Sequence, residues 1–265
     1  MLLTHAGRRI AYDIAGPEDA PVVCITHSLA SDGGSWTDQL PALLAAGFRV
    51  LRIDMRGHGG SDPVPGNYTM RALADDVAAV LERLSIARCH YIGLSIGGML
   101  GQAFALAHRD RLLSAIWSDT LPCSPAAAAP MWRERMAVVR KANSLEPVAD
   151  ATMDRWFTGS FKGARPERWN QIRDTIAGTT PAGYLGCCEA ILDFDFVPQL
   201  PEVRLPVLVL CGDQDPGTPP AENRRIASLV PGARYEEIPD ARHFPNVERP
   251  DAFNRVMLQW LEAHR

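Results

Sequence analysis

The stretch of sequence that decides the fold is Gly93-Leu94-Ser95-Ile96-Gly97, which fits the pattern G-x-S-x-G. An apolar strand-like run leads into it from His90, and an apolar helical pattern follows it as far as His108. Ser95 therefore lies at a sharp turn between a strand and a helix, where only small neighbours fit. This strand–turn–helix context predicts that Ser95 is a nucleophile at an elbow rather than an ordinary helix N-cap.

Strand-like and helix-like segments alternate on both sides of this turn. Eight short segments are typical of β-strands, at residues 2–5, 9–14, 22–26, 48–53, 90–93, 113–117, 206–210 and 234–238. Helical patterns lie between and after them, at residues 69–84, 97–108, 221–230 and 250–263. The alternation predicts the α/β class, with a mostly parallel, eight-stranded sheet flanked by helices.

The alternation stops at Leu121-Pro122 and resumes near Pro206. The residues between are helical in pattern and rich in aromatic side chains, with no strand-like run. We therefore expect a core domain of residues 1–121 and 202–265, interrupted by a helical cap, or lid, at 122–201. Ligand sites in such sheets collect at the carboxyl ends of the strands, which the cap would cover.

A serine hydroxyl needs a base to become a nucleophile. Of the seven histidines, His243 lies in the loop between the last strand and the final helix. It also completes the order Ser…Asp…His that is typical of this elbow. Asp215 is the preferred acid because it lies farther into the loop after residues 206–210, but Asp213 and Asp119 remain alternatives.

An acyl-transfer site also needs two hydrogen-bond donors for the developing oxyanion. One should be the backbone N–H of Ile96, the residue directly after Ser95. The other should come from the loop that follows the strand at 22–26, where Leu29 is the first choice and Ser28 the second.

Composition excludes several classes of protein. The chain has 265 residues, with 27 basic and 31 acidic side chains and a net charge of −4, so it lacks the basic surface of a nucleic-acid binder. No apolar run is long enough to span a membrane. The six cysteines form no CxxC pair and have no zinc-like spacing with histidine, so no metal is expected. We find no targeting segment at the N-terminus and expect a cytoplasmic protein.

Together these motifs resemble the α/β-hydrolase superfamily over essentially the whole chain. The markers are the loop at residues 25–28, the turn at 54–62, the elbow at Ser95, the loop at 212–215 and the loop of His243. The resemblance implies the α/β-hydrolase fold with an inserted cap.

Within this superfamily the chain is similar to the 3-oxoadipate enol-lactonase branch. The similarity rests on the Ser28-Leu29 pair, on the elbow and its helix, and on cap stretches at residues 132–135, 155–158 and 183–191. His27 stands where those enzymes usually have Asn. The resemblance implies a cofactor-free serine hydrolase that opens a small lactone or cleaves a small carboxylic ester through a Ser-His-Asp triad and an acyl-enzyme.

The favoured substrate is 3-oxoadipate enol-lactone, and the expected partner is a small molecule rather than a nucleic acid or a membrane. One alternative is a general carboxylesterase for neutral esters, with perhydrolase activity as a variant. Another is a non-catalytic small-molecule receptor on the same fold. The oligomeric state stays open, a homo-oligomer included.

A lactone that bears a carboxylate calls for a fixed cation in the pocket, preferably an arginine. Arg133, Arg135 and Arg155 in the cap are the candidates. Trp132 and Trp156 could wall the pocket, although packing inside the cap explains them equally well.

Overall fold

The computed structural model describes residues 1–265 and contains one eight-stranded sheet. The strands are β1 (Leu2–His5), β2 (Arg8–Ala15), β3 (Val22–Thr26), β4 (Arg49–Ile53), β5 (Cys89–Leu94), β6 (Leu112–Ser118), β7 (Val207–Gly212) and β8 (Arg234–Ile238). Their spatial order is β1-β2-β4-β3-β5-β6-β7-β8. The pairs β1–β2 and β2–β4 are antiparallel, and all the others are parallel. The predicted eight-stranded, mostly parallel sheet is confirmed.

Eleven α-helices accompany the sheet. They are α1 (Leu40–Ala45), α2 (Met70–Arg83), α3 (Ile96–Ala107), α4 (Ala129–Ala142), α5 (Glu146–Trp156), α6 (Phe161–Ala164), α7 (Pro166–Gly178), α8 (Pro181–Leu192), α9 (Pro220–Leu229), α10 (Pro245–Glu248) and α11 (Pro250–Ala263). No helix combines the length and apolar character that a membrane crossing requires.

The central strands are apolar because helices cover both faces of the sheet. Every residue of β3, β5 and β7 is buried. Strands buried on both faces lack the alternation of half-exposed strands, which explains their continuous apolar runs. The edge strand β8 is instead partly exposed along most of its length. These buried strands place their carboxyl ends at one rigid edge, where the site lies.

Helix α2 shows how local sequence sets a boundary. Its N-cap is Thr69, whose hydroxyl accepts a hydrogen bond from the N–H of Ala72 at 3.1 Å. The predicted apolar stripe faces the core, with Met70, Leu73 and Val77 all buried. The sequence did not predict α1, because six residues with a proline in the first turn carry no periodic signal.

The segment between β6 and β7 is helical, as predicted. It contains α4 to α8, and its sole β interaction is an isolated bridge between Cys123 and Asp195. We keep the division into a core of residues 1–121 and 202–265 and a cap at 122–201 as a proposal.

Candidate active site

Ser95 lies on the turn between β5 and α3 in a conformation that few side chains adopt. Its φ is 59° and its ψ is −117°, and the N–H donates to the carbonyl of Ser118 at 2.9 Å. A Cβ on Gly93 would collide with the carbonyl oxygen of Gly97, and one on Gly97 would lie 2.7 Å from Thr26 Oγ1. The fold therefore requires glycine two residues before and two residues after Ser95, and the tight turn directs the serine side chain out of the helix.

His243 and Asp215 meet above this turn. His243 Nδ1 lies 2.7 Å from Asp215 Oδ2, and both side chains are buried. The hydroxyl of Thr218 also donates to Asp215 Oδ2, while the N–H of Gly217 donates to Oδ1 at 2.8 Å. Burial alone would raise the pKa of Asp215, but His243 and these hydrogen bonds outweigh it and bring the pKa to about 2. Asp215 is thus an ionised acceptor that orients the imidazole.

The two alternative acids make no hydrogen bond to His243. Asp213 is exposed and accepts the N–H of Ala241 at 3.2 Å. Asp119 is buried at the end of β6, where it accepts the N–H of Gly212 at 2.8 Å and the hydroxyl of Ser118 at 2.6 Å. Burial and the charge of Asp215 raise the pKa of Asp119 well above its usual range. Asp119 therefore holds its proton more tightly than Asp215, the carboxyl group beside it.

Asp119, Asp215 and His243 are also the one group of side chains close enough to share a cation, with ligand atoms within 4.8 Å of one another. Asp215 and His243, however, are already hydrogen-bonded to each other. The two carboxyl groups also accept hydrogen bonds from neighbouring residues, Asp119 from Gly212 and Ser118 and Asp215 from Gly217 and Thr218. This donor set fits a hydrogen-bonded acid–base unit better than a ligand set that waits for a metal.

A cavity of about 270 Å³ opens over Ser95, His243 and Asp215. The residues predicted to contact substrate that line it are Ser28, Trp132, Arg135, Arg155 and Trp156, and Leu29, predicted as an oxyanion donor, lines it as well. Arg133 does not line it, because it is exposed on the outer side of α4. Of the three arginines predicted to bind a substrate carboxylate, Arg135 and Arg155 therefore remain candidates.

Two backbone amides beside Ser95 have no acceptor in the chain. The N–H of Leu29 makes no backbone hydrogen bond, and Leu29 lines the cavity. Ile96 is the first residue of α3, a position whose N–H has no acceptor within its helix. Free amides at this edge are what a developing negative charge requires.

A pair of buried histidines holds the loop that carries Leu29. His27 Nε2 accepts the N–H of Met55 at 2.9 Å, and His58 Nε2 accepts the N–H of Ala30 at 3.0 Å. The rings are 5.3 Å apart between centroids. Burial and the neighbouring His27 lower the pKa of His58 to about 3, so its ring stays neutral and can accept.

Sequence reasoning did not single out two polar cavity residues, Thr152 on α5 and Tyr184 on α8. Both are buried and line the cavity. Tyr184 lies on a helix that is buried on several sides, so no polar–apolar periodicity indicates which face meets the cavity. Its position close to the elbow is a property of the tertiary fold alone.

Comparison with known proteins agrees with this architecture. A family profile described as alpha/beta hydrolase fold matches residues 21–250. The chain belongs to the alpha/beta hydrolase family and is an enzyme of the hydrolase class, which confirms the resemblance inferred from its motifs.

Individual relatives show which members of this family the chain resembles. The chain is 32% identical to 3-oxoadipate enol-lactonase 2 of Acinetobacter baylyi over 255 residues, which cover 96% of this chain and 94% of that protein. It is similar to the solved enol-lactonase of Burkholderia xenovorans LB400, with a TM-score of 0.95, 36% identity and coverage of 99% and 100%. A thermophilic esterase of Thermogutta terrifontis, solved with malate bound, has a TM-score of 0.91 and 30% identity, with coverage of 100% and 97%.

Proposed function

We propose that the protein is a serine hydrolase that opens a small lactone, with 3-oxoadipate enol-lactone as the favoured substrate. The observation that carries this proposal is the 2.7 Å contact between His243 Nδ1 and Asp215 Oδ2 in the cavity that also contains Ser95. An imidazole whose Nδ1–H is held by a carboxylate presents Nε2 as a base.

In the proposed mechanism, His243 removes the proton from Ser95 Oγ as the oxygen attacks the lactone carbonyl. The N–H groups of Ile96 and Leu29 stabilise the negative charge that develops on the carbonyl oxygen. The bond to the ring oxygen then breaks, and this oxygen takes the proton from His243. The product is an acyl-enzyme that still carries both halves of the substrate. Water that His243 deprotonates attacks this ester, the bond to Ser95 Oγ breaks, and Oγ takes the proton back from His243 as the acid is released.

The cavity supports a small, anionic substrate. Its volume of about 270 Å³ lies below the range usual for drug-sized ligands. Trp132 and Trp156 supply apolar walls, and Ser28 adds a buried hydroxyl. Arg135 and Arg155 make no ion pair with any carboxylate of the chain, so their charges are free to meet the carboxylate of the enol-lactone.

The test compares hydrolysis of 3-oxoadipate enol-lactone with that of p-nitrophenyl acetate. We expect the wild-type kcat/KM to be higher for the lactone by at least about 100-fold, since arginine contacts remote from the scissile bond favour only the anionic substrate. Ser95→Ala should lower the rate on both by about 10⁴-fold or more. Ser228→Ala, which removes an exposed hydroxyl on α9, is the control and should match wild type.

The alternatives give different outcomes in the same experiment. A general carboxylesterase would favour the neutral ester, and Ser95→Ala would still abolish its activity. A receptor would turn over neither substrate. Activity that survives in Ser95→Ala would contradict the mechanism itself.

A further inference from the structure

Tyr184 has a buried hydroxyl that makes no hydrogen bond to an oxygen or nitrogen atom of the chain, its one polar neighbour on α8 being the weakly polar thiol of Cys188. The side chain is 1% exposed, its Oη has no hydrogen-bond partner, and it lines the cavity over Ser95. A buried hydroxyl without a partner destabilises the fold, so such a group next to a catalytic cavity indicates a ligand that completes the hydrogen bond.

Arg135 faces the same part of the cavity. Its Nη2 donates to Thr152 Oγ1 at 2.7 Å, and its guanidinium lies over the ring of Trp132 at 5.4 Å. Thr152 in turn donates to the carbonyl of Val148 at 2.7 Å, so the arginine is held by α5 as well as by its own helix. No carboxylate neutralises it, and its other N–H donors remain free.

The two groups are electrostatic neighbours. Burial and the neighbouring Cys188 raise the pKa of Tyr184, and the charge of Arg135 acts against that shift. The phenol therefore keeps its proton at every working pH and is a donor. A charged donor and a neutral donor on adjacent helices are suited to an anion with two oxygens, such as a carboxylate.

The position of Tyr184 is fixed by the start of α8. The N-cap Thr180 accepts the N–H of Gly183 at 3.1 Å and donates its hydroxyl proton to the carbonyl of Gly57 at 2.7 Å. A Cβ on Gly183 would lie 2.5 Å from Gly57 Cα, so the two backbones are in direct contact. The hydroxyl of Tyr184 thus belongs to the part of α8 that is anchored to the loop after β4.

We propose that Tyr184 is a specificity-determining residue that, with Arg135, binds a carboxylate at the end of the substrate remote from the scissile carbonyl. This inference rests on the proposed function and assigns its substrate class: lactones and esters whose acyl part ends in a free carboxylate. Arg155 is a weaker candidate because it reaches only Met131 Sδ, at 3.8 Å, on the exposed side of the cavity.

The test uses two esters that differ only at the far end of the acyl chain. Mono-p-nitrophenyl glutarate ends in a carboxylate, and p-nitrophenyl pentanoate ends in a methyl group. The readout is the ratio of their kcat/KM values, which cancels effects on the chemical step. We expect Tyr184→Phe to lower the ratio about tenfold and Arg135→Gln about 100-fold, the range for hydrogen bonds to charged groups, with the loss mainly in KM. Arg133→Gln, exposed on the same helix, should leave the ratio as in wild type.

Binding of glutarate itself provides a second readout that needs no turnover. Trp132 and Trp156 line the cavity and report the ligand by fluorescence. Tyr184→Phe should weaken glutarate binding about tenfold.

The inference is overturned if Tyr184→Phe leaves both the ratio and the glutarate Kd unchanged, or if Arg155→Gln produces the loss that we assign to Arg135. Failure of the proposed function looks different: neither ester depends on Ser95, whatever Tyr184→Phe does to glutarate binding.

Discussion

At the scale of single residues, Asp119 shows how burial divides roles between neighbouring carboxyl groups. Asp215 accepts hydrogen bonds from His243, Thr218 and the amide of Gly217, which lower its pKa, whereas burial and the charge of Asp215 raise the pKa of Asp119. Two ionised carboxyl groups whose oxygens lie within 4.8 Å of each other repel in the protein interior, which raises the pKa of the one that lacks a cationic partner. The acid that contacts the imidazole is therefore the one whose charge the loop after β7 stabilises.

Asp119→Asn should stabilise the protein at neutral pH. Because the folded-state pKa of Asp119 is raised, the folded protein holds a proton that the unfolded chain releases, and this penalty grows as pH rises above about 4. Asparagine is neutral in both states, so the gain in the free energy of unfolding should increase between pH 5 and pH 8. Urea unfolding at a series of pH values measures it.

Asp213→Asn is the control for that experiment, since Asp213 is exposed and contacts only the amide of Ala241. Its effect should be small and independent of pH. A gain for Asp119→Asn that does not change with pH would show that Asp119 is ionised in the folded protein.

At the scale of secondary-structure elements, a close contact joins α8 to the loop after β4. Gly57 has φ of 71°, a region that favours glycine, and lies against Gly183. The N–H of Thr180 and its hydroxyl both donate to the carbonyl of Gly57, at 3.3 and 2.7 Å. The backbone contact and the two hydrogen bonds act at one point.

Gly183→Ala should therefore destabilise the fold by about 1–3 kcal/mol, because the new methyl group meets backbone that cannot rotate away. It should also lower kcat/KM on the anionic ester, since Tyr184 follows directly in the chain. Gly163→Ala in α6 is the matched control: a Cβ there meets nothing within 4 Å, and stability should change by less than about 0.5 kcal/mol. Equal effects of the two substitutions would contradict the proposed anchoring.

The same elements show what a sequence can and cannot predict. The runs that became β3 to β8 were placed to within two residues. Among them β3, β5 and β7 are buried along their whole length, which makes their runs continuously apolar. The order of Ser95, Asp215 and His243 along the chain also suggested which side chains would meet. By contrast, α1 is too short to show a period, and α8 is buried on several sides. The free hydroxyl of Tyr184 and the unpaired charge of Arg135 follow from three-dimensional packing, which local pattern does not encode.

At the scale of the whole molecule, two buried neutral histidines link stability to pH. His58 has a pKa lowered to about 3, by burial and by His27, and burial lowers that of His90 to about 4. In the unfolded chain both would titrate near their ordinary value of about 6.5. Folding is thus favoured while both rings are neutral, and the advantage is lost as pH falls from about 6.5 towards the folded-state values.

This effect is best measured in the Asp119→Asn background, because Asp119 releases a proton on unfolding and opposes the histidines. Between pH 6 and pH 5 we expect the free energy of unfolding to fall by about 2–3 kcal/mol, nearly the full value for two groups. Replacing His90 with Gln should halve this slope, and replacing His5, which is near the N-terminus, should not change it. A slope unaffected by His90→Gln would mean that His90 is protonated in the folded state.

The contact between Gly57 and Gly183 also has a consequence for exchanging parts between related enzymes. Replacing residues 122–179 with the corresponding segment of a related enzyme would keep the native contacts of Thr180, Gly183 and Tyr184, while the donor sequence would supply new cavity-lining residues. A graft that also takes residues 180–192 must bring the matching loop after β4 with it, or two foreign backbones will meet where neither has room. Recombination just before α8 would therefore preserve this contact, and the imported segment would have to reproduce the hydrogen bonds that Thr158, Arg165 and Arg168 make to the core.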